Sequence, residues 1–251
     1  MQHEKKIGQK KMTRFDLDNL TATNQKRTVI DTENVDMSDV LTLVDMLTDK
    51  DGIIRTLPFD HIKDVGKDTL NMVMQIMALY TFPTTEVVDF LREEIDDGNP
   101  EFAPDAIEIC AGSGWIGRNL DIPITDSYLQ DRQDVRDAYI RNGCVPIAYP
   151  KDVEKLDAIA AIKKYTPEFV IGSYVTRKWG LGSRKEGNMY GVDTGWVVNN
   201  CHKFYMIGNQ NIHNGDPIMK RNHKEYSFPW LITRGDSTKA RIWVWENKLW
   251  R

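Results

Sequence analysis

The residues of this chain best suited to chemistry lie in one glycine-rich run, residues 106–117. The run reads Ala-Ile-Glu-Ile-Cys-Ala-Gly-Ser-Gly-Trp-Ile-Gly, so an apolar segment that predicts a buried strand leads directly into a glycine turn. Glycine lets a backbone turn sharply and approach a ligand closely, and a helix that follows offers its N-terminal N–H groups. In α/β folds nucleotides bind at this place. The spacing of Gly112, Gly114 and Gly117 fits the GxGxxG fingerprint, so a nicotinamide or other nucleotide is one alternative.

Two acidic residues favour a different ligand. Glu108 lies in the strand before the glycines, a position that the dinucleotide fingerprint usually leaves apolar, and Asp126 follows the next predicted strand. The run resembles the first motif of class I S-adenosylmethionine-dependent methyltransferases, an acid-x-Gly-x-Gly-x-Gly loop. Glu108, Gly112 and Gly114 occupy the matching places, and Cys110 replaces the first glycine. The resemblance covers residues 83–251.

The resemblance implies S-adenosylmethionine as the cofactor and a set of residues that bind it. Asp126 matches the family's acid that accepts hydrogen bonds from the two ribose hydroxyls, and Asp152 matches the position that contacts the adenine amino group. The implied cofactor-binding residues are Glu108, Cys110, Ala111, Gly112, Gly114, Asp126 and Asp152. The short interval between Gly114 and Asp126 departs from the family pattern, because it leaves room for only a short first helix.

The candidate catalytic residues are Tyr174 and His213. Tyr174 follows the fourth predicted strand, where the family usually places residues that face the methyl acceptor, and His213 lies in the loop after the fifth. Residues 171–179 lack an Asn-Pro-Pro-Tyr or Asp-Pro-Pro-Tyr run, which argues against an adenine or cytosine N-methyltransferase of the usual kind. Methyl transfer needs mainly alignment of the acceptor and, for some acceptors, a base. No cluster of acids and histidines has the spacing of metal ligands, so no metal is predicted.

The elements that must position these residues predict an α/β fold. After residue 104 short apolar runs alternate with helical segments, which predicts right-handed βαβ crossovers and a parallel sheet covered on both faces. The predicted strands are residues 106–110, 122–125, 145–149, 169–172 and 203–208, with helices at 130–141, 153–164 and 192–202. Runs 226–233 and 240–246, joined by residues 234–237, predict a C-terminal antiparallel hairpin. The expected fold is a mostly parallel seven-stranded sheet with helices on both faces and this hairpin at its end.

Three regions are predicted along the chain. Residues 1–30 are polar and basic with few apolar anchors, which is typical of a flexible arm. Residues 31–82 form a small helical N-terminal region, since apolar residues recur at helical spacing from Met37 and again from Leu70. Residues 83–251 are the predicted Rossmann-like S-adenosylmethionine-binding domain, which opens with a helix after Pro83.

Composition narrows the setting in which the protein acts. The 251 residues are 41% hydrophobic and 28% charged, which is ordinary for a globular protein. No stretch approaches the roughly 18 apolar residues that span a bilayer, so no membrane partner is predicted. Cys110, Cys144 and Cys201 form no CxxC pattern, and we expect a reducing, cytoplasmic location.

Charge is distributed unevenly over the chain. Residues 28–162 carry 11 basic against 27 acidic side chains, whereas residues 163–251 carry 15 against 7. This basic third holds Arg177, Lys178, Arg184 and Lys185 in one predicted loop, which leaves an anionic acceptor open. An isoelectric point near 5.8 is too low for a dedicated nucleic-acid module. Trp243 and Trp245, at alternate positions of the last strand, fit core packing or, alternatively, stacking on bases.

The sequence therefore predicts an S-adenosylmethionine-dependent methyltransferase with an unassigned acceptor. A small molecule or a protein is the preferred acceptor, and nucleic acid is a further option. Two alternatives stay open on the same fold. One is a binding or regulatory protein that has lost catalysis. The other is an enzyme that consumes S-adenosylmethionine in another way, by hydrolysis or by transfer from the decarboxylated cofactor.

Overall fold

A computed structural model of the chain describes residues 30–96, 105–178, 187 and 189–250. All but the last residue of the predicted arm, together with Arg184 and Lys185 of the predicted basic loop, lie outside the described residues. Within the described ranges, no helix is long and apolar enough to cross a membrane.

A five-stranded mixed sheet forms the centre of the molecule. The described strands are β1 (Ala106–Ile109), β2 (Thr125–Asp126), β3 (Glu154–Lys155), β4 (Phe169–Ser173), β5 (Lys203–Asn209), β6 (Lys224–Tyr226) and β7 (Ala240–Glu246). The order in the large sheet is β1-β4-β5-β7-β6. β1, β4 and β5 are parallel, whereas β7 runs antiparallel to both β5 and β6. The α/β class and the antiparallel C-terminal end are therefore as predicted.

The expected single sheet of seven strands is not formed, because β2 and β3 pair with each other in a separate two-stranded parallel sheet. The two sheets stay in contact beside β1. Glu108 and Ile124 form one parallel bridge, the Glu108 N–H donates to Pro123 O (2.9 Å), and the Ala111 N–H donates to Thr125 O (3.0 Å). The two-stranded sheet thus lies beside β1, with β2 nearer to it, and is joined to it by one isolated bridge and two hydrogen bonds rather than by a continuous ladder.

Two strand predictions are wrong, and proline explains both. Residues 145–149, the predicted third strand, are irregular, and β3 forms at Glu154–Lys155 instead. Residues 226–233 leave the sheet after Tyr226, so the predicted tight hairpin is a long connection. Pro146 and Pro229 lie within these two runs, and proline has no N–H to donate to a ladder.

Eight α-helices are described, and side-chain caps define several of their starts. They are α1 (Met37–Leu47), α2 (Lys67–Ile76), α3 (Thr85–Ile95), α4 (Trp115–Leu120), α5 (Gln133–Arg141), α6 (Ala158–Tyr165), α7 (Thr194–Asn199) and α8 (Gln210–His213). The carboxylate of Asp157 accepts the Ala160 N–H and that of Asp193 accepts the Trp196 N–H, so α6 and α7 begin later than predicted. The first helix of the α/β part, α4, is short, as the sequence interval indicates.

Helices cover both faces of the large sheet, and alternation along the strands decides which residues meet them. On β5, Tyr205 and Ile207 pack with the N-terminal helices α1 to α3, while Phe204 and Met206 pack with α6 and α7. Trp243 and Trp245 are each only 1% exposed within the second cluster, so core packing, and not base stacking, is their role.

Candidate functional site

A cavity of about 210 Å³ lies where the chain leaves the ends of β1, β2 and β4. In open α/β sheets ligands bind outside the carboxyl ends of the strands, at the point where the strand order reverses, and here that point lies between β1 and β4. The residues that line the cavity include Tyr80, Thr81, Glu108, Cys110, Ala111, Gly112, Asp126, Tyr139, Tyr149, Ser173, Tyr174, Tyr190 and Arg234.

The glycine turn after β1 has the sharp backbone that its sequence predicts. Cys110, Gly112 and Gly114 all have positive φ, at 53°, 57° and 68°. Cys110, Ala111 and Gly112 line the cavity, whereas Gly114 lies behind it at the start of α4. A Cβ at Gly114 would approach Ile124 to 2.9 Å, so this glycine serves close packing.

Glu108 is a buried acid beneath the turn. Its side chain is 1% exposed, and its carboxylate accepts the Gly117 N–H at 2.7 Å. Burial raises the pKa of Glu108 to about 8 against the lowering effects of that hydrogen bond and of Arg118, so the group is largely protonated at neutral pH. A Cβ at Gly117 would lie 2.9 Å from the Glu108 carboxylate, which explains the third glycine of the run. Glu108 lines the cavity and also braces the turn.

Asp126 ends β2 and faces the same turn. One carboxylate oxygen accepts the Gly112 N–H at 3.0 Å, and the other accepts the Tyr128 N–H at 2.8 Å. Burial raises the pKa of this carboxyl despite both bonds. Tyr149, from the irregular segment that replaces the predicted third strand, packs beside it and stacks on Tyr128 with ring centroids 4.1 Å apart. Each carboxylate oxygen can accept more than one hydrogen bond, so Asp126 retains capacity for a ligand.

Asp152 is not brought to the cavity. Its carboxylate receives the Nε and Nη2 donors of Arg118 at 2.8 and 2.9 Å on a partly exposed surface. The displacement follows from the late start of β3, because Asp152 now precedes the strand that it was expected to follow.

Tyr174 lies at the cavity, immediately after β4, with a left-handed φ of 56°. Its hydroxyl donates to Arg234 O at 3.2 Å, and its ring lies 5.2 Å from that of Tyr80. Burial raises the pKa of the Tyr174 phenol well above its ordinary value, so it stays protonated and is unsuited to act as a base.

His213, the second candidate catalytic residue, lies beneath Tyr174 and does not line the cavity. The two rings meet edge to face at 5.3 Å, and the His213 side chain is 4% exposed. The Asn209 N–H donates to Nδ1 at 3.1 Å, and burial lowers the pKa of His213 to about 4. The helix α8 turns the ring back over Gly208, where a Cβ would come within 2.5 Å of it. His213 is thus a neutral packing residue in this arrangement.

Several cavity residues are not evident from the sequence. Tyr80 and Thr81 come from the segment after α2, and Thr81 and Ser173 share a hydrogen bond of 2.9 Å. Arg234 was assigned to a hairpin turn, yet its guanidinium lies 4.4 Å from the centre of the Tyr80 ring. Burial and the neighbouring Asp126 and Glu108 raise the pKa of the Cys110 thiol, which makes it a poor nucleophile. The described part of the chain holds no group of three or more His, Cys, Asp or Glu placed to bind a metal ion.

Comparisons with known proteins identify no family for this chain. No protein-family model matches it, and no curated protein matches it in sequence. Similar solved structures include Thermoplasma acidophilum 1320, with 12% identity, 73% of this chain and 98% of that chain covered, and a TM-score of 0.34. An uncharacterized protein from Listeria monocytogenes has 13% identity, coverages of 66% and 68%, and a TM-score of 0.33. A DNMT2 mutant from Spodoptera frugiperda has 12% identity, coverages of 57% and 50%, and a TM-score of 0.28. Similarities at this level assign no activity.

Proposed function

We propose that this protein is an S-adenosylmethionine-dependent methyltransferase with an unassigned acceptor. The observation that carries the proposal is the position of Asp126, at the carboxyl end of β2, hydrogen-bonded to the glycine turn after β1 and lining a cavity at the switch point of the sheet. A carboxylate there is suited to accept hydrogen bonds from the two hydroxyls of a ribose. The parallel sheet with an antiparallel end agrees with the sequence resemblance.

The donor and acceptor groups around the cavity fit this cofactor in part. Asp126 offers acceptors for ribose hydroxyls, and Tyr149 offers an aromatic face beside them. Cys110, Ala111 and Gly112 bring the backbone close to the ligand, and Glu108 holds the turn through the Gly117 N–H. Gly114 contributes by packing, and Asp152 does not fit the role that the resemblance implies.

When bound, S-adenosylmethionine supplies an electrophilic methyl group on a sulfonium centre. The contribution of the chain is to bind and align, which is most of what methyl transfer requires. Tyr174, protonated and fixed by Arg234 O, provides a wall at the end of β4 against which an acceptor packs. With His213 buried beneath it, neither predicted catalytic residue removes a proton, so the proposed acceptor is one that needs no protein base. A small molecule or a protein is preferred over nucleic acid.

A second candidate function is a binding protein without catalysis, and the neutral, inaccessible His213 favours it. The third is an enzyme that consumes S-adenosylmethionine by another reaction. A methyltransferase forms S-adenosylhomocysteine only when an acceptor is present, a binding protein forms none, and a hydrolase consumes the cofactor alone. The three free cysteines agree with a cytoplasmic location, which we also propose.

The test is the affinity of Asp126→Ala for S-adenosylmethionine. We expect a loss of roughly tenfold or more, because a hydrogen bond to a charged acceptor contributes about 1.5 to 3 kcal/mol. Calorimetry measures the affinity, and thermal unfolding confirms that the variant is folded. A thermal-shift comparison of the wild type with S-adenosylmethionine, NAD and ATP separates the nucleotide alternatives, since a ligand of the folded state raises the melting temperature. An unchanged dissociation constant in a folded Asp126→Ala variant contradicts the proposal.

A further inference from the structure

The cavity has two chemically different ends. The acidic end consists of Glu108, Gly112 and Asp126, at the ends of β1 and β2. The arginine end consists of Tyr80, Tyr174 and Arg234, next to the end of β4. Neighbouring strands are about 4.8 Å apart, so the ends of β2 and β4, with β1 between them, are separated by about 10 Å.

Arg234 is the only Lys, Arg or His among the described residues that line the cavity. It is half-buried, and no carboxylate within the described ranges forms an ion pair with it. The phenol side chains of Tyr80, Tyr139 and Tyr174 line the same part of the cavity. A cation placed among neutral groups and partly removed from water is costly unless an anion completes the site.

The protein holds the Arg234 guanidinium in place but does not provide acceptors for all of its N–H donors. Its Nη2 donates to Met74 O at 2.7 Å, its plane covers the Tyr80 ring, and the Arg234 N–H donates to Tyr80 O at 3.0 Å. Among the described residues Nη2 is the only guanidinium nitrogen with a hydrogen-bond partner, and Nε is buried without one. A guanidinium has five N–H donors. Fixed donors of this kind cost little ordering free energy when a planar anion binds.

We propose that Arg234 binds the carboxylate at the amino-acid end of S-adenosylmethionine and thereby selects the intact cofactor over its decarboxylated form. This inference rests on the proposed function. With the ribose at Asp126, an extended amino-acid arm carried on the sulfonium spans a distance comparable to that between the two ends of the cavity. Arginine and a carboxylate form charge-assisted hydrogen bonds, which are stronger than neutral ones.

The two ligands that test the inference are S-adenosylmethionine and decarboxylated S-adenosylmethionine, because they share the adenosine and the sulfonium and differ in the carboxylate. Calorimetry with the full-length wild type is expected to give about 10- to 100-fold tighter binding of the intact cofactor. In Arg234→Gln this preference falls to near one, because binding of the intact cofactor weakens while that of the decarboxylated form does not. Arg234→Lys keeps the positive charge but loses the planar guanidinium, so its preference for the intact cofactor is expected to lie between those of the wild type and Arg234→Gln.

Arg241→Gln is the matched control, since Arg241 of β7 pairs with Glu225 of β6 and does not line the cavity. It should keep the wild-type preference. Equal affinities of the wild type for the two ligands overturn this inference and leave the proposed function standing. If folded Arg234→Gln keeps the preference for the intact cofactor, the inference is overturned as well, and another group must bind the carboxylate. If the wild type binds neither ligand, the proposed function fails, and this inference fails with it.

Discussion

The acidic end and the arginine end of the cavity handle charge in opposite ways. At the acidic end, backbone N–H groups of Gly112, Gly117 and Tyr128 donate to the two acids, and burial keeps Glu108 largely protonated. At the arginine end, the guanidinium of Arg234 forms one hydrogen bond among the described residues. Glu108 is therefore satisfied without a ligand and Asp126 keeps acceptor capacity for one, whereas the arginine end gains an anion only when one binds. Variants of Glu108 should act mainly on folding, Asp126→Ala on ligand affinity, and variants of Arg234 on ligand choice.

The largest expected effect is on the pH dependence of the free energy of unfolding, compared between the wild type and Glu108→Gln. Burial raises the pKa of Glu108 to about 8 in the folded chain, from an ordinary value of 4.5. Between these values the folded state keeps a proton that the unfolded state has lost, so stability falls as pH rises and is level above pH 8. Glutamine stays neutral and can still accept the Gly117 N–H. From pH 5 to pH 9 the wild type should lose about 2 to 4 kcal/mol more free energy of unfolding than Glu108→Gln.

Urea unfolding of both proteins at several pH values measures this difference. Glu154→Gln is the control, because Glu154 is a partly exposed acid whose pKa is lowered by its hydrogen bond with Lys164. A lowered pKa gives stability that is lost only in acid, so this variant should follow the wild type between pH 5 and pH 9. Parallel pH profiles for the wild type and Glu108→Gln are the result that breaks the comparison at the acidic end.

The acidic end is also the part of the site that the sequence predicts well, because its residues are near neighbours in the chain. Glu108 lies in β1, Asp126 ends β2, and the glycine turn lies between these two short strands, so their spacing fixes the turn. The strands β1, β4, β5 and β7 and the helices α1 to α3 were predicted for a similar reason, since each has its own apolar pattern. Local patterns of this kind survive folding with little change.

The arginine end depends on long-range pairing that no local pattern contains. After β6 ends at Tyr226, the chain leaves the sheet and runs beside the segment after α2, where the Phe82 N–H donates to Ile232 O and Thr81 bridges Thr233. This path carries Arg234 to Tyr80. The alternating apolar pattern of residues 226–233 fits a strand equally well, and only Pro229 argued against it. The irregular course of residues 145–149 likewise brings Tyr149 to Asp126 and leaves Asp152, for which the resemblance implies an adenine contact, outside the cavity.

A smaller effect is expected on stability when the packing beneath each end of the cavity is changed, by Gly208→Ala at the arginine end and by Gly117→Ala at the acidic end. A Cβ at Gly208 would come within 2.5 Å of His213, whose ring is held by Tyr174 and Trp243. At Gly117 the closest atoms, at 2.8 and 2.9 Å, are Cγ1 of Ile124 and a carboxylate oxygen of Glu108. We expect each variant to lose about 1 to 3 kcal/mol, with Gly208→Ala the worse, because a clamped ring moves less than a carboxylate.

Gly143→Ala is the matched control for this pair in urea unfolding. Gly143 has a positive φ of 69°, but no atom lies within 4 Å of its Cβ position, so only backbone strain of about 1 kcal/mol is expected. Equal stabilities of Gly208→Ala and Gly143→Ala would mean that His213 moves freely. The packing described for the floor of the arginine end would then be incorrect.

The smallest expected effect is on cofactor affinity in Asp152→Asn. The resemblance implies cofactor contacts for both Asp126 and Asp152, but Asp126 lies inside the cavity and Asp152 outside it. In Asp152→Asn the carboxylate that pairs with Arg118 becomes a neutral amide, and the pair lies on a partly exposed surface where such interactions contribute under about 1 kcal/mol. Arg118 lowers the pKa of Asp152, so any stability that the pair gives is present at neutral pH and lost in acid. Affinity for S-adenosylmethionine should stay within about twofold of the wild type, as for a surface substitution away from the site. Calorimetry beside Asp126→Ala makes the comparison directly. A tenfold loss in Asp152→Asn would mean that this carboxylate leaves Arg118 to meet the ligand, and the cavity would then have to extend past the glycine turn to β3.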